Sequence, residues 1–309
     1  MGKKSKFQIK SEYYAFRVAM GALSVMPRPL ALAVCRTLSH AAFHSLSGPR
    51  RTGMRNLELA FPDMPAAERQ MIIRGTFENL GRVVAEMSQL HKATPANFEK
   101  IVDFEMDEES RAVYAQNRHG RGVLIITGHF GNWEMMAAAF ALLHKPQAFL
   151  ARPLDNPLID EMTAAIRTRY GNRQIDKTHS AMTAIKILRG GGLLGILADV
   201  NAHPKEGVFV PFFGVEACTP SGAAMIALRS DALMFPTFCI WDKAAGRYRM
   251  IHGRALEPVR TGDRKRDVVE TTAAYTAEIE RIIRQNPDQW MWIHKRWKTR
   301  PPGEAKVYD

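Results

Sequence analysis

Apolar positions follow two regimes along the chain. Residues 13–46 are mostly apolar, from Tyr13, Phe16 and Val18 to Leu38 and Phe43, and Pro27 and Pro29 split them into two short predicted helices. Arg17, Arg28 and Arg36 interrupt this run, and neither they nor the prolines suit a bilayer centre. It reads as an interfacial element with cations at its edge, or as a helical hairpin of the core. Residues 65–90 carry Ile72, Phe77, Leu80, Val83 and Met87 at helical spacing. From about residue 98 the regime changes to alternation of strand and helix. Val123–Thr127 is a continuous apolar run, as in a strand buried on both faces. Further strands are predicted near Ala148–Ala151, Leu193–Ala198, Val208–Phe213 and Met234–Trp241. Helical patterns lie near 131–144, 156–170, 179–189, 220–229 and 267–285.

This alternation predicts an α/β fold with a mixed, partly parallel sheet flanked by helices. No repeat or Pro/Gly-rich linker divides the chain. The expected organisation is a membrane-associating helical segment over residues 1–50 and one catalytic-sized domain over 51–309. An apolar fraction of 46% and a charged fraction of 24% exclude disorder, collagen and coiled coil as whole-chain answers. Cys35, Cys218 and Cys239 form no CxxC pair and no zinc spacing, which points to a reducing compartment and no metal site. The basic start lacks an unbroken apolar run and a small-residue cleavage site, so no signal peptide is expected.

Charge changes the picture through its placement. The net charge is +12, yet residues 1–60 hold ten Lys/Arg against Glu12 and Glu58, and residues 281–309 hold seven against three acids. The rest of the chain is balanced. Two basic ends around a neutral body suggest a surface for an anionic partner: lipid, nucleic acid or an acidic carrier protein.

The segment richest in chemistry is Gly122-Val-Leu-Ile-Ile-Thr-Gly-His-Phe-Gly-Asn-Trp-Glu134. A buried strand ends at Gly128, and His129 follows at the carboxyl end, where open α/β sheets place their ligands. Gly128 and Gly131 permit a tight turn and close approach to the backbone. Glu134 falls in the first turn of the next helix. On one ideal helix the two side chains would stand about 140° apart, so they can meet only if His129 sits in the preceding turn. Glu134 would then orient the imidazole and leave its other nitrogen free as a general base. No Ser or Cys adjoins the pair, so the nucleophile is expected to be a substrate hydroxyl. The absence of a G-x-S-x-G elbow counts against a serine hydrolase.

HFGNWE resembles the H-x4-D/E motif of glycerolipid acyltransferases. It is most similar to the lipid A biosynthesis lauroyl/myristoyl acyltransferase family. NLELAFPDMPAAER at 56–69, ARPLDNPLID at 151–160, VFVPFFGVEACTPSG at 208–222 and NPDQWMWIHKRWKTR at 286–300 agree in order. The resemblance implies a glycerolipid acyltransferase-like fold, with His129 as the base on an acceptor hydroxyl and Glu134 supporting it. It implies an acyl carrier protein or acyl-coenzyme A donor, a glycolipid acceptor, no cofactor, and a place on the cytoplasmic face of the inner membrane. One departure stands out. Many members read DQD before the proline–aromatic block, whereas this chain has Ala198-Asp199-Val200-Asn201. Related enzymes acylate other glycolipids, so another glycolipid or a phospholipid as acceptor is the alternative.

The remaining candidates are substrate-binding. Arg152 leaves a predicted strand before Pro153 and can grip an acceptor phosphate or carboxylate as a bidentate fork. Asp199 ends an apolar strand, where a carboxylate is seldom idle. Arg167, Arg169 and Lys177 are phosphate candidates, and Asn132 either contacts substrate or shapes the turn. Trp290, Trp292 and Trp297, interleaved with Lys295, Arg296 and Lys298, either anchor at a headgroup layer or pack against the domain. A nucleic-acid binder is the reading from another class. It is disfavoured because no recognition motif appears and the aromatic residues sit in apolar runs.

Overall fold

A computed structural model describes residues 4–116, 120–175 and 180–308. The chain opens with α1 (Lys6–Val25), whose cap is Ser5 accepting from the Gln8 amide, and α2 (Arg28–Ser45), with Pro27 and Pro29 at the break. Next come α3 (Ser47–Ala60), α4 (Ala66–Gln89) and the short α5 (Pro95–Phe98). The α/β part contains β1 (Val102–Asp103), α6 (Glu108–Gln116), β2 (Val123–Thr127), α7 (Trp133–Ala139) and β3 (Ala148–Leu150). It continues through α8 (Pro157–Thr168), β4 (Arg173–Ile175), α9 (Ser180–Arg189) and β5 (Leu193–Leu197). It ends with β6 (Gly207–Phe212), β7 (Val215–Pro220), α10 (Gly222–Ser230), β8 (Leu233–Asp242), β9 (Arg247–His252) and α11 (Arg264–Gln285).

Among the described residues the main sheet has the order β1-β9-β8-β2-β5-β3-β4, parallel except for the β8–β9 pair, and β6–β7 forms a separate hairpin. This is the expected mixed sheet flanked by helices. Strand β2 explains why. Leu124 and Ile126 join the core under α9, α10 and α11, while Val123 and Ile125 join the opposite core with α7 and β9. Period-two alternation thus fills both faces with apolar side chains. Strand β2 runs between β5 and β8, with Thr127 level with Leu197. That register brings the residues just beyond the two strands, around His129 and Asp199, out together at the carboxyl edge.

The N-terminal helices are packed onto the domain along one side. Phe43 is fully buried, and the Arg28 guanidinium forms a bidentate pair with buried Glu86 on α4 at 2.6 and 3.0 Å. Residue 50, the expected boundary, lies inside α3. Along α1, Phe7, Tyr14, Val18 and Val25 remain 57–82% exposed and fall within about 40° of one another around the helix. No described helix is long and apolar enough to cross a membrane. Trp290, Trp292 and Trp297 are buried to within 1% and pack against Phe212 and Phe213, so the headgroup-anchor option is excluded for these rings. Arg296 between them is also buried, donating to the Cys218 carbonyl and the Thr219 hydroxyl.

Candidate active site

The site is built on the turn after β2. Gly131 takes a left-handed φ of +61°, and a Cβ there would meet the Cys239 carbonyl oxygen at 2.2 Å. A Cβ on Gly128 would lie 2.8 Å from the Asp199 carboxylate. The two glycines therefore serve different contacts: one makes the turn, the other admits the carboxylate. Asn79 on α4 braces the turn from below, donating to the Gly131 carbonyl at 2.7 Å and the Gln289 carbonyl at 3.1 Å.

Asp199, at the end of β5, holds His129. Its Oδ1 accepts from imidazole Nδ1 at 3.0 Å, and its Oδ2 accepts from the His129 amide at 2.7 Å and from Trp290 Nε1 at 2.8 Å. Because a carboxylate only accepts, Nδ1 carries the proton and Nε2 presents its lone pair. Trp133 packs edge-on against the ring, and a quarter of the His129 side chain stays open to solvent. Burial alone would push this imidazole down, but Asp199, assisted by Glu134, outweighs it and holds its pKa above the ordinary 6.5. Burial likewise works against Asp199, yet the His129 charge and the three donors bring it down to about 2.

Glu134 does not touch His129. It is buried at the start of α7 and accepts from Arg167 Nη2 at 2.6 Å, from Arg167 Nε at 3.0 and 3.1 Å, and from Trp133 Nε1 at 3.0 Å. The expected imidazole–Glu134 contact is thus corrected: helix α7 turns the carboxylate toward α8, and the register of β2 with β5 supplies Asp199 instead. Arg167 is positioned by Glu134 and leaves Nη1 uncommitted among the described hydrogen bonds. Asn132 takes the turn-shaping one of its two expected roles. It is fully buried, caps α7 by accepting from the Met135 amide, and donates to the Tyr248 hydroxyl, which ties the turn to β9.

Arg152 stands exposed just past β3, with no hydrogen bond or ion pair to a described residue. Arg169 is exposed at the end of α8, in a cavity away from this turn. Lys177 lies outside the described residues. The residues missed from the sequence are Trp290 and His294. The latter accepts the Asn201 amide on Nε2 at 3.1 Å, and burial drives its pKa down to about 4. Among the described residues no three His, Cys, Asp or Glu side chains gather as a metal site.

The arrangement is an imidazole whose tautomer is fixed by a buried carboxylate, facing solvent beside a positioned guanidinium. It can take a proton from a hydroxyl and stabilise a nearby developing anion. The family model of the bacterial lipid A biosynthesis acyltransferases matches residues 1–299. The lipid A biosynthesis lauroyltransferase of Escherichia coli (strain K12) is 34% identical over 82% of this chain and 80% of its own length. The palmitoleoyltransferase of the same organism is 28% identical over 82% and 80%, and its myristoyltransferase 25% identical over 94% and 88%. This chain is an acyltransferase and belongs to the bacterial lipid A biosynthesis acyltransferase family.

Proposed function

We propose that the protein moves a fatty acyl chain from a thioester, on acyl carrier protein or coenzyme A, to a hydroxyl of a lipid A-type glycolipid precursor. The observation that carries this reading is the His129–Asp199 pair, in which Asp199 holds Nδ1 and leaves Nε2 as the nitrogen available to act as base. His129 Nε2 takes the hydroxyl proton as the oxygen attacks the thioester carbonyl, forming the C–O bond. The tetrahedral oxyanion then collapses, the C–S bond breaks, and the imidazolium returns the proton to the thiolate. Products are an ester and a free thiol. The amides of His129, Gly131 and Asn132 are committed to Asp199, Gln289 and Cys239. Oxyanion stabilisation is assigned to Arg167, which is close enough to oppose protonation of His129. Arg152 grips an acceptor phosphate from the end of β3.

The reading places the reaction at the cytoplasmic face of the inner membrane. The apolar stripe of α1 supports this, together with Lys6, Lys10 and Arg17 on the same helix. Asn156, which donates to the Ile9 carbonyl at 2.8 Å, ties α1 beside the loop that carries Arg152. The two basic ends of the chain meet in one groove of about 1210 Å³, lined by Arg50, Arg51, Arg55, Lys295 and Lys306. Its charge suits an acidic donor carrier.

The test supplies purified protein with acyl carrier protein or coenzyme A thioesters and a lipid A precursor, and reads the acceptor by mass spectrometry. An acceptor heavier by one ester-linked acyl group, with one thiol released per transfer, supports the reading. Thiol release that is independent of acceptor refutes it.

A further inference from the structure

Helices α1 and α8 and the end of α4 line a second, open-sided cavity of about 400 Å³, within the usual range of small-molecule sites. Two facing stripes build it. On α1, Arg17, Met20, Gly21 and Ser24 recur at i, i+3, i+4 and i+7, and on α8 Met162, Ala165, Ile166 and Arg169 repeat the same spacing. The helices leave a gap because small residues occupy the crossing. The space where a Gly21 Cβ would stand is empty to 4 Å, and Ala165 lines the same cavity. Arg167 lies about 200° around α8 from Arg169, so the same helix presents one arginine to Glu134 and the other to this cavity.

The lining is divided by chemistry. Met20, Met87, Met162 and Ile166 form an apolar floor, and unbranched thioethers adapt to an alkyl chain. Arg17 and Arg169 stand exposed in the lining, and neither guanidinium has a hydrogen bond or ion pair to a described residue. His91 joins them; its Nδ1–H donates to the Ser88 carbonyl at 3.0 Å, which leaves Nε2 outward. No carboxylate lines the cavity among the described residues. Arginine forks match phosphate oxygens in pairs. The cavity also adjoins the exposed Val18–Val25 edge of α1, a lateral entrance for a lipid.

We propose that this cavity binds a phosphorylated amphiphile, with one alkyl chain on the methionine floor and its phosphate between Arg17 and Arg169. A membrane glycerophospholipid and a phosphorylated glycolipid acceptor share this chemistry.

The test titrates the full-length protein, with no thioester present, with dodecyl phosphate, dodecanol and inorganic phosphate below micelle-forming concentrations. The absence of donor makes failure here independent of the acyl-transfer reading. Dodecyl phosphate should bind at least about tenfold more tightly than either fragment, because only it uses floor and arginines together. Arg17→Gln/Arg169→Gln, both exposed, should keep the melting temperature and weaken dodecyl phosphate by about tenfold or more. Met162→Trp should fill the floor and abolish binding. If the double arginine variant also raises the acceptor KM, the phosphate is the acceptor's; if KM is unchanged, the ligand is a bulk phospholipid. Dodecyl phosphate affinity that is equal in wild type and both variants overturns the proposal. So does inorganic phosphate binding as tightly as dodecyl phosphate.

Discussion

Replacing Asp199 by Asn isolates the step on which the mechanism depends. Three N–H donors converge on this carboxylate: the His129 amide and Trp290 Nε1 on Oδ2, and imidazole Nδ1 on Oδ1. An amide side chain has one oxygen. Placed at the Oδ2 position it satisfies two donors, and at Oδ1 only one, so the oxygen is expected at Oδ2 and the NH2 at Oδ1. The imidazole must then accept on Nδ1 and carry its proton on Nε2, the nitrogen that faces the substrate. The base is present but in the wrong tautomer. The equivalent change in a serine protease triad lowers kcat by about 10⁴, and the same is expected here, equivalent to about 5.5 kcal/mol of barrier. The assay is steady-state thiol release with donor and acceptor varied separately, beside a thermal melt. The loss should fall on kcat, with both KM values and the fold retained. A variant within about tenfold of the wild-type kcat, or one whose whole loss lies in a KM, refutes the assignment of Asp199 as the orienting group.

Other predictions follow from neighbouring contacts. Arg152→Lys should raise acceptor KM and leave donor KM unchanged, because lysine loses the bidentate fork; a change in donor KM alone reassigns Arg152 to the thioester site. Gly131→Ala should lower folded yield and melting temperature, since a non-glycine residue at φ +61° costs about 1–3 kcal/mol before the 2.2 Å clash with the Cys239 carbonyl is counted; a wild-type melt contradicts this. The acid limb of kcat/KM should have its midpoint above 6.5, because Asp199 favours the imidazolium; a midpoint at or below 6.5 shows the two groups uncoupled in solution. His252 and His294 are held neutral by burial with pKa values near 4, so the stability they contribute is present above 6.5 and lost as pH falls through about 4; denaturant titrations from pH 7 to 4 should show this loss, reduced in His252→Gln. Phe7→Ser/Val18→Ser should keep the melt and lose binding to anionic vesicles, whereas unchanged co-sedimentation removes α1 from the membrane surface.

Much of the fold was legible because its central elements announce themselves in periodicity. Val123–Thr127 reads as a doubly buried strand and is one, and the long helices α4 and α11 follow from their apolar stripes. The strands that escaped were the short Val102–Asp103 and Arg173–Ile175, the second arm of the hairpin Val215–Pro220, and Arg247–His252, whose alternating arginines suppress the apolar signal. Within the site, His129 was legible from its place after a buried strand between two glycines. The identity of its partner was not. Glu134 is close in sequence, but Asp199, 70 residues on, is the neighbour, and that depends on β5 lying next to β2 in register. A carboxylate ending an apolar strand was the available signal. Trp290 carried none, because three tryptophans among cations read equally well as a headgroup anchor. Its role rests on a single indole N–H aimed at Asp199.

The most direct test of the account compares wild-type and His129→Ala protein in a single turnover with an acyl thioester and a lipid A precursor, both folded by thermal melt. Removing a general base lowers the rate by about 10²–10⁴. The account predicts a loss in that range in ester formation, with acceptor still bound. Ester formation at the wild-type rate by His129→Ala would contradict it.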